Sequence, residues 1–117
     1  MLKREADTIS KINNSNFSDE YKTKLLEAYY DFKENGFELK MHSLNRFLGQ
    51  KEGKGKWTFT REDLLGVLAR PSNYIQENDG NYVKFYDGIA VIEDSNTRAV
   101  ISIVVRNKER DDWRVTQ

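Results

Sequence analysis

The sequence predicts an α+β fold in which N-terminal helices pack on a small C-terminal antiparallel β-sheet. Apolar residues recur at helical spacing in the first half of the chain, and they form short alternating or β-branched runs in the second half. Helices and strands that are segregated in this way favour α+β over alternating βαβ units. The 117 residues fit one domain, 1–117, and the absence of cysteine excludes a disulfide framework.

The helical part of the chain is expected to cover residues 17–70. Ser18 can cap a first helix, whose apolar residues recur every three or four positions until Gly36 ends it. Residues 1–16 are polar and contain a run of asparagine and serine, so they are expected to form a flexible or peripheral segment.

Two further helices are expected before the sheet. A short one has its apolar side formed by Met41, Leu44, Phe47 and Leu48. Another begins after Thr60, which is a good N-cap residue, and Pro71 prevents its continuation.

The sheet is expected to lie within residues 72–117. The segment 81–86 alternates, and the sequence Asp87-Gly88 after it indicates a hairpin turn. Ala99–Val105 is rich in β-branched residues and is interpreted as a central strand that is covered on both faces. The tail, 106–117, is expected either to add an edge strand or to lie across the sheet.

Charge is balanced over the whole chain, with 19 basic and 19 acidic residues, but it is not balanced locally. Between Lys40 and Arg61 there are six basic residues and a single acidic one, Glu52. A basic stripe of this kind attracts a phosphate chain even on a neutral protein. No apolar run approaches the length of a membrane span, and the first residues lack the apolar core of a secretory signal.

His42 is the only histidine, and Arg46 follows it one helical turn later, so their side chains are expected to be neighbours. An imidazole suits either proton role in RNA cleavage, where the 2′-hydroxyl of the substrate is the nucleophile. Lys40, Lys54 and Lys56 are candidates to hold the phosphate. One histidine without cysteine argues against zinc, and no metal or cofactor is expected.

Ser102 interrupts an otherwise apolar strand, and a period of two residues puts it on the same face as Arg106. Its hydroxyl could donate a hydrogen bond to a phosphate oxygen. The aromatic candidates for stacking on unpaired bases are Trp57, Tyr82, Tyr86 and Trp113.

Each candidate also has a simpler interpretation. A histidine at a helix start is usually a surface or capping residue, and a serine in a strand is usually a tolerated polar residue. Tyr82 and Tyr86 can simply cover a sheet face, and the lysine-rich loop can be a solvated turn. It is not a nucleotide-binding loop, because Gln50 and Trp57 occupy the positions that need glycine and a hydroxyl residue.

The segment His42-Ser43-Leu44-Asn45-Arg46-Phe47 resembles the His-x-Leu-x-Arg helix motif of the barnase/EndoU/colicin-like (BECR) ribonuclease toxins. The passage from Thr60 to Ile75 resembles the helix and first strand of that family. Lys84–Ile92 and Ala99–Val104 are similar to its successive strands. The resemblance covers about residues 38–114 and is to the C-terminal domains of polymorphic toxins, of the contact-dependent inhibition or LXG type.

The resemblance implies a BECR-type fold, metal-independent cleavage of RNA, often tRNA, and a cognate immunity protein that covers the site. It gives the catalytic role to His42, the phosphate role to Arg46 and the strand hydroxyl to Ser102, with Arg106 and Trp113 as weaker matches. A lysine, a tyrosine or water would then be the general acid. Such a domain would be a monomer, delivered within a larger secreted or cell-surface toxin, and would act in the cytoplasm of a target bacterium.

Two other functions stay open. A non-catalytic module that binds RNA or protein through the same basic loop predicts salt-sensitive binding without cleavage. A structural or phage-associated domain predicts neither RNA binding nor cleavage. For a toxin, the local positive charge predicts an acidic immunity protein that binds over residues 40–56.

Overall fold

The computed structural model describes residues 3–50 and 58–116, which form four helices followed by five strands. The helices are α1 (Lys3–Asn13), α2 (Asp19–Glu34), α3 (Met41–Leu48) and α4 (Arg61–Leu68). The strands are β1 (Tyr74–Gln76), β2 (Tyr82–Tyr86), β3 (Ile89–Glu93), β4 (Val100–Val105) and β5 (Trp113–Val115). The predicted α+β fold, with helices first and the sheet second, is therefore confirmed. No helix within the described ranges is long and apolar enough to cross a membrane.

The strands form one antiparallel sheet in the order β4-β3-β2-β1-β5. Asp87 and Gly88 join β2 to β3 with φ angles of 53° and 82°, so the predicted hairpin turn is confirmed. The tail combines the two arrangements expected for it. It forms the edge strand β5, which it reaches from β4 at the opposite edge of the sheet.

The predicted helix ends are also confirmed. Ser18 Oγ accepts a hydrogen bond from the backbone N–H of Tyr21 at 3.1 Å, and Gly36 lies just beyond the end of α2 with a φ of 93°. Thr60 and Asp63 form a capping box at the start of α4, in which each side chain accepts from the backbone N–H of the other.

Residues 3–13 lie in the segment expected to be flexible or peripheral, and they form the helix α1, so they are not flexible coil. Ile12 is fully buried, and Ile9 packs against the same core. Two isoleucines three positions apart in a polar segment are too weak a pattern to indicate a helix. The apolar surfaces of α2 and α3, which α1 contacts, stabilise it instead.

The interpretation of Ala99–Val105 as a central strand is wrong, because β4 is an edge strand. The strand in which every residue is buried is β3. The outer edge of β4 is covered by other parts of the chain, since Leu39 forms a parallel bridge with Val100 and α3 packs on the strand. This cover explains why an edge strand carries the apolar composition of a central one.

The two faces of the sheet have separate apolar clusters. The larger one packs the helices against one face and includes Leu25, Phe32, Leu44, Val91 and Ile103. The smaller one lies on the other face, and its members come only from the sheet strands, namely Tyr74, Val83, Phe85, Ala90, Ile92, Ile101, Val104 and Trp113. We call this the second sheet face. A functional group in the sheet therefore faces either the helices or this second face.

Candidate functional site

α3 carries the histidine, and the edge of the sheet fixes the position of this helix. The backbone N–H of Lys40 donates to the carbonyl of Val100 at 2.9 Å, and the N–H of Val100 donates to the carbonyl of Glu38 at 2.7 Å. The buried hydroxyl of Ser43 lies 2.8 Å from the carbonyl oxygens of both Lys40 and Val100. Backbone and side chain together hold the first turn of α3 against β4.

This position turns His42 and Arg46 outward. Ser43 and Leu44 are fully buried, whereas His42 and Arg46 are exposed and lie one helical turn apart on the opposite side of α3. We call the surface formed by His42 and Arg46, together with Lys40 at the N-cap of the helix, the α3 face. The helix predicted to carry both residues is present, and both are exposed four positions apart along it. No ion pair or hydrogen bond joins either side chain to another described residue.

Lys40 is half-buried at the start of the α3 face and lies near an acidic turn. The backbone N–H groups of Thr97 and Asn96 donate to Asp94 at 2.9 Å and 2.8 Å. These hydrogen bonds lower the pKa of the Asp94 carboxyl, and the charge of Lys40 makes a smaller contribution in the same direction.

Lys54, Lys56 and Trp57 lie outside the described residues, whereas Gln50 and Phe59 on either side of them are described. The side-chain amide of Gln50 donates to the carbonyl of Phe59 at 3.1 Å and accepts from the N–H of Phe59 at 2.8 Å. These two bonds hold Phe59 against Gln50, just after the end of α3.

Ser102 does not join the α3 face. It pairs directly with Ile92, and directly paired residues of antiparallel strands present their side chains on the same face. Ile92 belongs to the second sheet face, whereas Ile103, the next residue of β4, packs with Leu44 of α3 in the main core. The catalytic set expected from the sequence is therefore divided by the sheet.

Arg106 and Trp113 also lie on the second sheet face. The guanidinium of Arg106 is 5.9 Å from the centroid of the Trp113 ring. The ring is only 6% exposed, because it packs against Tyr74 and Phe85 with centroid distances of 5.7 Å and 5.5 Å. Trp113 is therefore chiefly a packing residue and is not available for stacking on a base without displacement.

Tyr86 lies on the helix side of the sheet, where it packs against the main core. Its hydroxyl donates to the carbonyl of Pro71 at 2.5 Å, and the guanidinium of Arg70 stands 4.9 Å from its ring centroid. Both its hydroxyl and one ring face are therefore occupied within the protein. Tyr86 holds the end of α4 against β2, and this arrangement gives it a structural role.

Sequence reasoning missed a polar contact beside the α3 face. The hydroxyl of Tyr21, in the first turn of α2, donates to the side-chain oxygen of Asn45 at 2.6 Å. Burial raises the pKa of Tyr21, so its phenol stays protonated and remains a donor at neutral pH. Asn45 follows His42 by three positions on α3, and this spacing was the one signal in the sequence that could have identified it.

The described residues contain no cluster of three His, Cys, Asp or Glu side chains that could hold a metal ion. Comparisons with protein-family models, with curated proteins and with solved structures each find no match to this chain. The inference of function therefore depends on the residues of the chain and on their arrangement.

Proposed function

We propose that this domain is a metal-independent endoribonuclease of the toxin class, acting on RNA, with tRNA as the first substrate to test. The observation that carries the proposal is the α3 face, where an exposed imidazole and an exposed guanidinium lie one helical turn apart. The resemblance of this helix to the BECR motif favours the same activity.

In this reaction His42 takes the proton of a 2′-hydroxyl, and the resulting 2′-oxygen attacks the adjacent phosphorus. The bond from phosphorus to the 5′-oxygen breaks, and a proton from water completes the leaving 5′-hydroxyl. The products are a 2′,3′-cyclic phosphate and a 5′-hydroxyl end. Arg46 and Lys40 stabilise the negative charge that builds on the phosphate oxygens during the attack.

Incubation of the purified protein with total bacterial tRNA in EDTA tests this activity. Wild type is expected to release fragments with cyclic phosphate ends, and His42→Ala is expected to lose at least ~100-fold in rate, the usual contribution of a proton-transfer group. Arg46→Ala is expected to lower the rate because it removes a charge that stabilises the phosphate. Its matched control is Lys24→Ala, which removes an exposed cation from α2. Equal cleavage by wild type and His42→Ala, or no cleavage by either, would contradict the proposal.

The second candidate is a module that binds RNA without cleaving it. The separation of Ser102 from the α3 face favours this candidate, because it leaves His42 without the strand hydroxyl expected in a catalytic set. Binding to tRNA that weakens steeply with salt, with intact tRNA recovered after long incubation, would support it over the nuclease.

A toxin of this kind is proposed to act in the cytoplasm of a target bacterium after delivery within a larger protein, and to be neutralised by an acidic immunity protein. The positive charge of the α3 face and the lysine-rich segment supports an acidic partner. Toxicity on expression that the product of a neighbouring gene relieves would support this partner. The double variant Lys40→Glu/Arg46→Glu should slow the association of the two proteins at low salt, and an unchanged association rate would count against it.

A further inference from the structure

Among the described residues, only the side-chain oxygen of Asn45 has a hydrogen-bond partner, and its NH2 group has none. Its amide oxygen accepts the hydrogen bond from the hydroxyl of Tyr21, at 2.6 Å. The ring of Tyr21 is itself held in place by edge-to-face packing on Phe17, with centroids 4.9 Å apart. A side-chain amide has two N–H donors besides its oxygen, so the Tyr21 contact orients Asn45 and leaves its NH2 group as a donor.

The NH2 group of Asn45 belongs to a set of three different donors on a single helical turn. Asn45 is three positions after His42 and directly before Arg46, and it is half-buried at the margin of the α3 face. An imidazole, an amide and a guanidinium at this spacing can all donate hydrogen bonds to the oxygens of one phosphate. The hydrogen bond from the Tyr21 hydroxyl fixes the orientation of the Asn45 amide, which would otherwise rotate freely.

We infer that Asn45 binds a phosphate oxygen of RNA beside Arg46, and that Tyr21 is a positioning residue that orients the Asn45 amide for this contact. The inference rests on the proposed function and adds to it one residue that contacts the substrate. It also explains a polar contact between two helices that otherwise pack through apolar residues.

Two substitutions at one position separate this role from a merely structural one. Asn45→Ala removes both the acceptor for Tyr21 and the donor for RNA. Asn45→Asp keeps an acceptor for Tyr21 but replaces the donor with a negative charge. If Asn45 only joined the two helices, the aspartate variant would be the milder one. If it contacts a phosphate, the aspartate variant is the more severe, because it repels the ligand.

Binding is measured with fluorescently labelled tRNA at low salt in a His42→Ala background, so that cleavage does not interfere. Asn45→Ala is expected to raise Kd by roughly tenfold, and Asn45→Asp by roughly thirtyfold or more, as loss of a hydrogen bond to a charged group and gain of a repulsion imply. Asn35→Asp is the matched control, because it adds the same charge at an exposed asparagine beyond the far end of α2. It should change Kd by less than about twofold.

Tyr21→Phe tests the positioning role, with Tyr30→Phe as its control because Tyr30 is an exposed tyrosine of the same helix. Tyr21→Phe is expected to weaken binding by about twofold to threefold when Asn45 is present and to have no effect in the Asn45→Ala variant. Circular dichroism and urea unfolding of each variant establish that the fold is retained. An equal effect of Tyr21→Phe with and without Asn45 would overturn the positioning role.

The outcomes for the inference and for the proposed function are distinct. Cleavage by wild type with Asn45→Asp no worse than Asn45→Ala overturns the phosphate contact and leaves the nuclease standing. Binding without cleavage, with Asn45→Asp the weaker variant, supports the contact and overturns the nuclease. A wild type that neither binds nor cleaves tRNA overturns both.

Discussion

Lys84 and Glu93 form an ion pair between β2 and β3, with 3.1 Å between Nζ and Oε2, and both side chains are at most one-tenth exposed. The ammonium group also donates to the carbonyl of Leu68, the last residue of α4, at 2.6 Å. The second carboxylate oxygen of Glu93 accepts from Arg98, whose guanidinium lies 4.0 Å from the ring centroid of Tyr82. These contacts connect the end of α4 to β2 and β3.

Removing the carboxylate from this pair is expected to destabilise the fold strongly. Glu93→Ala leaves the buried ammonium of Lys84 without its counter-charge, and we expect a loss of about 3 kcal/mol in the free energy of unfolding. Urea unfolding measures the loss. Glu77→Ala is the control, because it breaks the more exposed ion pair with Arg114 and should cost less than about 1 kcal/mol. Similar losses in the two variants would show that burial does not determine how much each ion pair contributes to the free energy of unfolding.

The sequence predicted those parts of the fold that depend on local chemistry. The caps at Ser18 and Thr60 and the Asp87-Gly88 turn are set by a few adjacent residues, and all three are confirmed. α1 and the edge position of β4 were missed for a different reason. Each depends on which distant part of the chain covers an apolar surface, as Leu39 covers Val100, and no spacing within a segment records this.

In the candidate site, too, some features depend on local sequence and others on the packing of distant segments. The expectation that His42 and Arg46 share one helix depends on local spacing alone, and the structure has that helix. The separation of Ser102 from them depends on the register between β3 and β4 and on which sheet face α3 covers. Neither can be read from the residues of one strand. The contact between Tyr21 and Asn45 joins residues 24 positions apart. It depends on how α2 packs on α3, which the sequence of neither helix specifies.

The two hydrogen bonds between Gln50 and Phe59 are expected to protect a backbone amide. In Gln50→Ala the N–H of Phe59 loses its acceptor, so its hydrogen exchange should be faster, and the free energy of unfolding should fall by about 1 to 2 kcal/mol. Gln50→Glu keeps the acceptor but loses the donor to the carbonyls of Phe47 and Phe59. That variant should retain the protection of the Phe59 amide, and rapid exchange there would contradict this account of the contact.

The turn after β3 predicts a pH-dependent contribution to stability. Because hydrogen bonds from Asn96 and Thr97 lower the pKa of Asp94, its ionised form stabilises the folded state. The contribution is present above the ordinary aspartate pKa of about 4 and is lost as the pH falls through the lowered folded value. Asp94→Ala should therefore be less stable than wild type at neutral pH and approach it in acid, as thermal unfolding at several pH values would measure. Asp94→Asn keeps an acceptor and should lie between the two at neutral pH.

The position of Ser102 makes a prediction that opposes the role implied by family resemblance. Ser102 lies on the second sheet face, so its hydroxyl has no path to a phosphate held on the α3 face. Ser102→Ala should leave the rate of tRNA cleavage within about twofold of wild type, because its hydroxyl does not contact the reacting groups on the α3 face. Arg46→Ala, measured in the same assay, should lower the rate clearly because it removes a charge beside His42. A loss with Ser102→Ala as large as that with His42→Ala would mean that the substrate spans the sheet edge, and the α3 face would then be only half of the site.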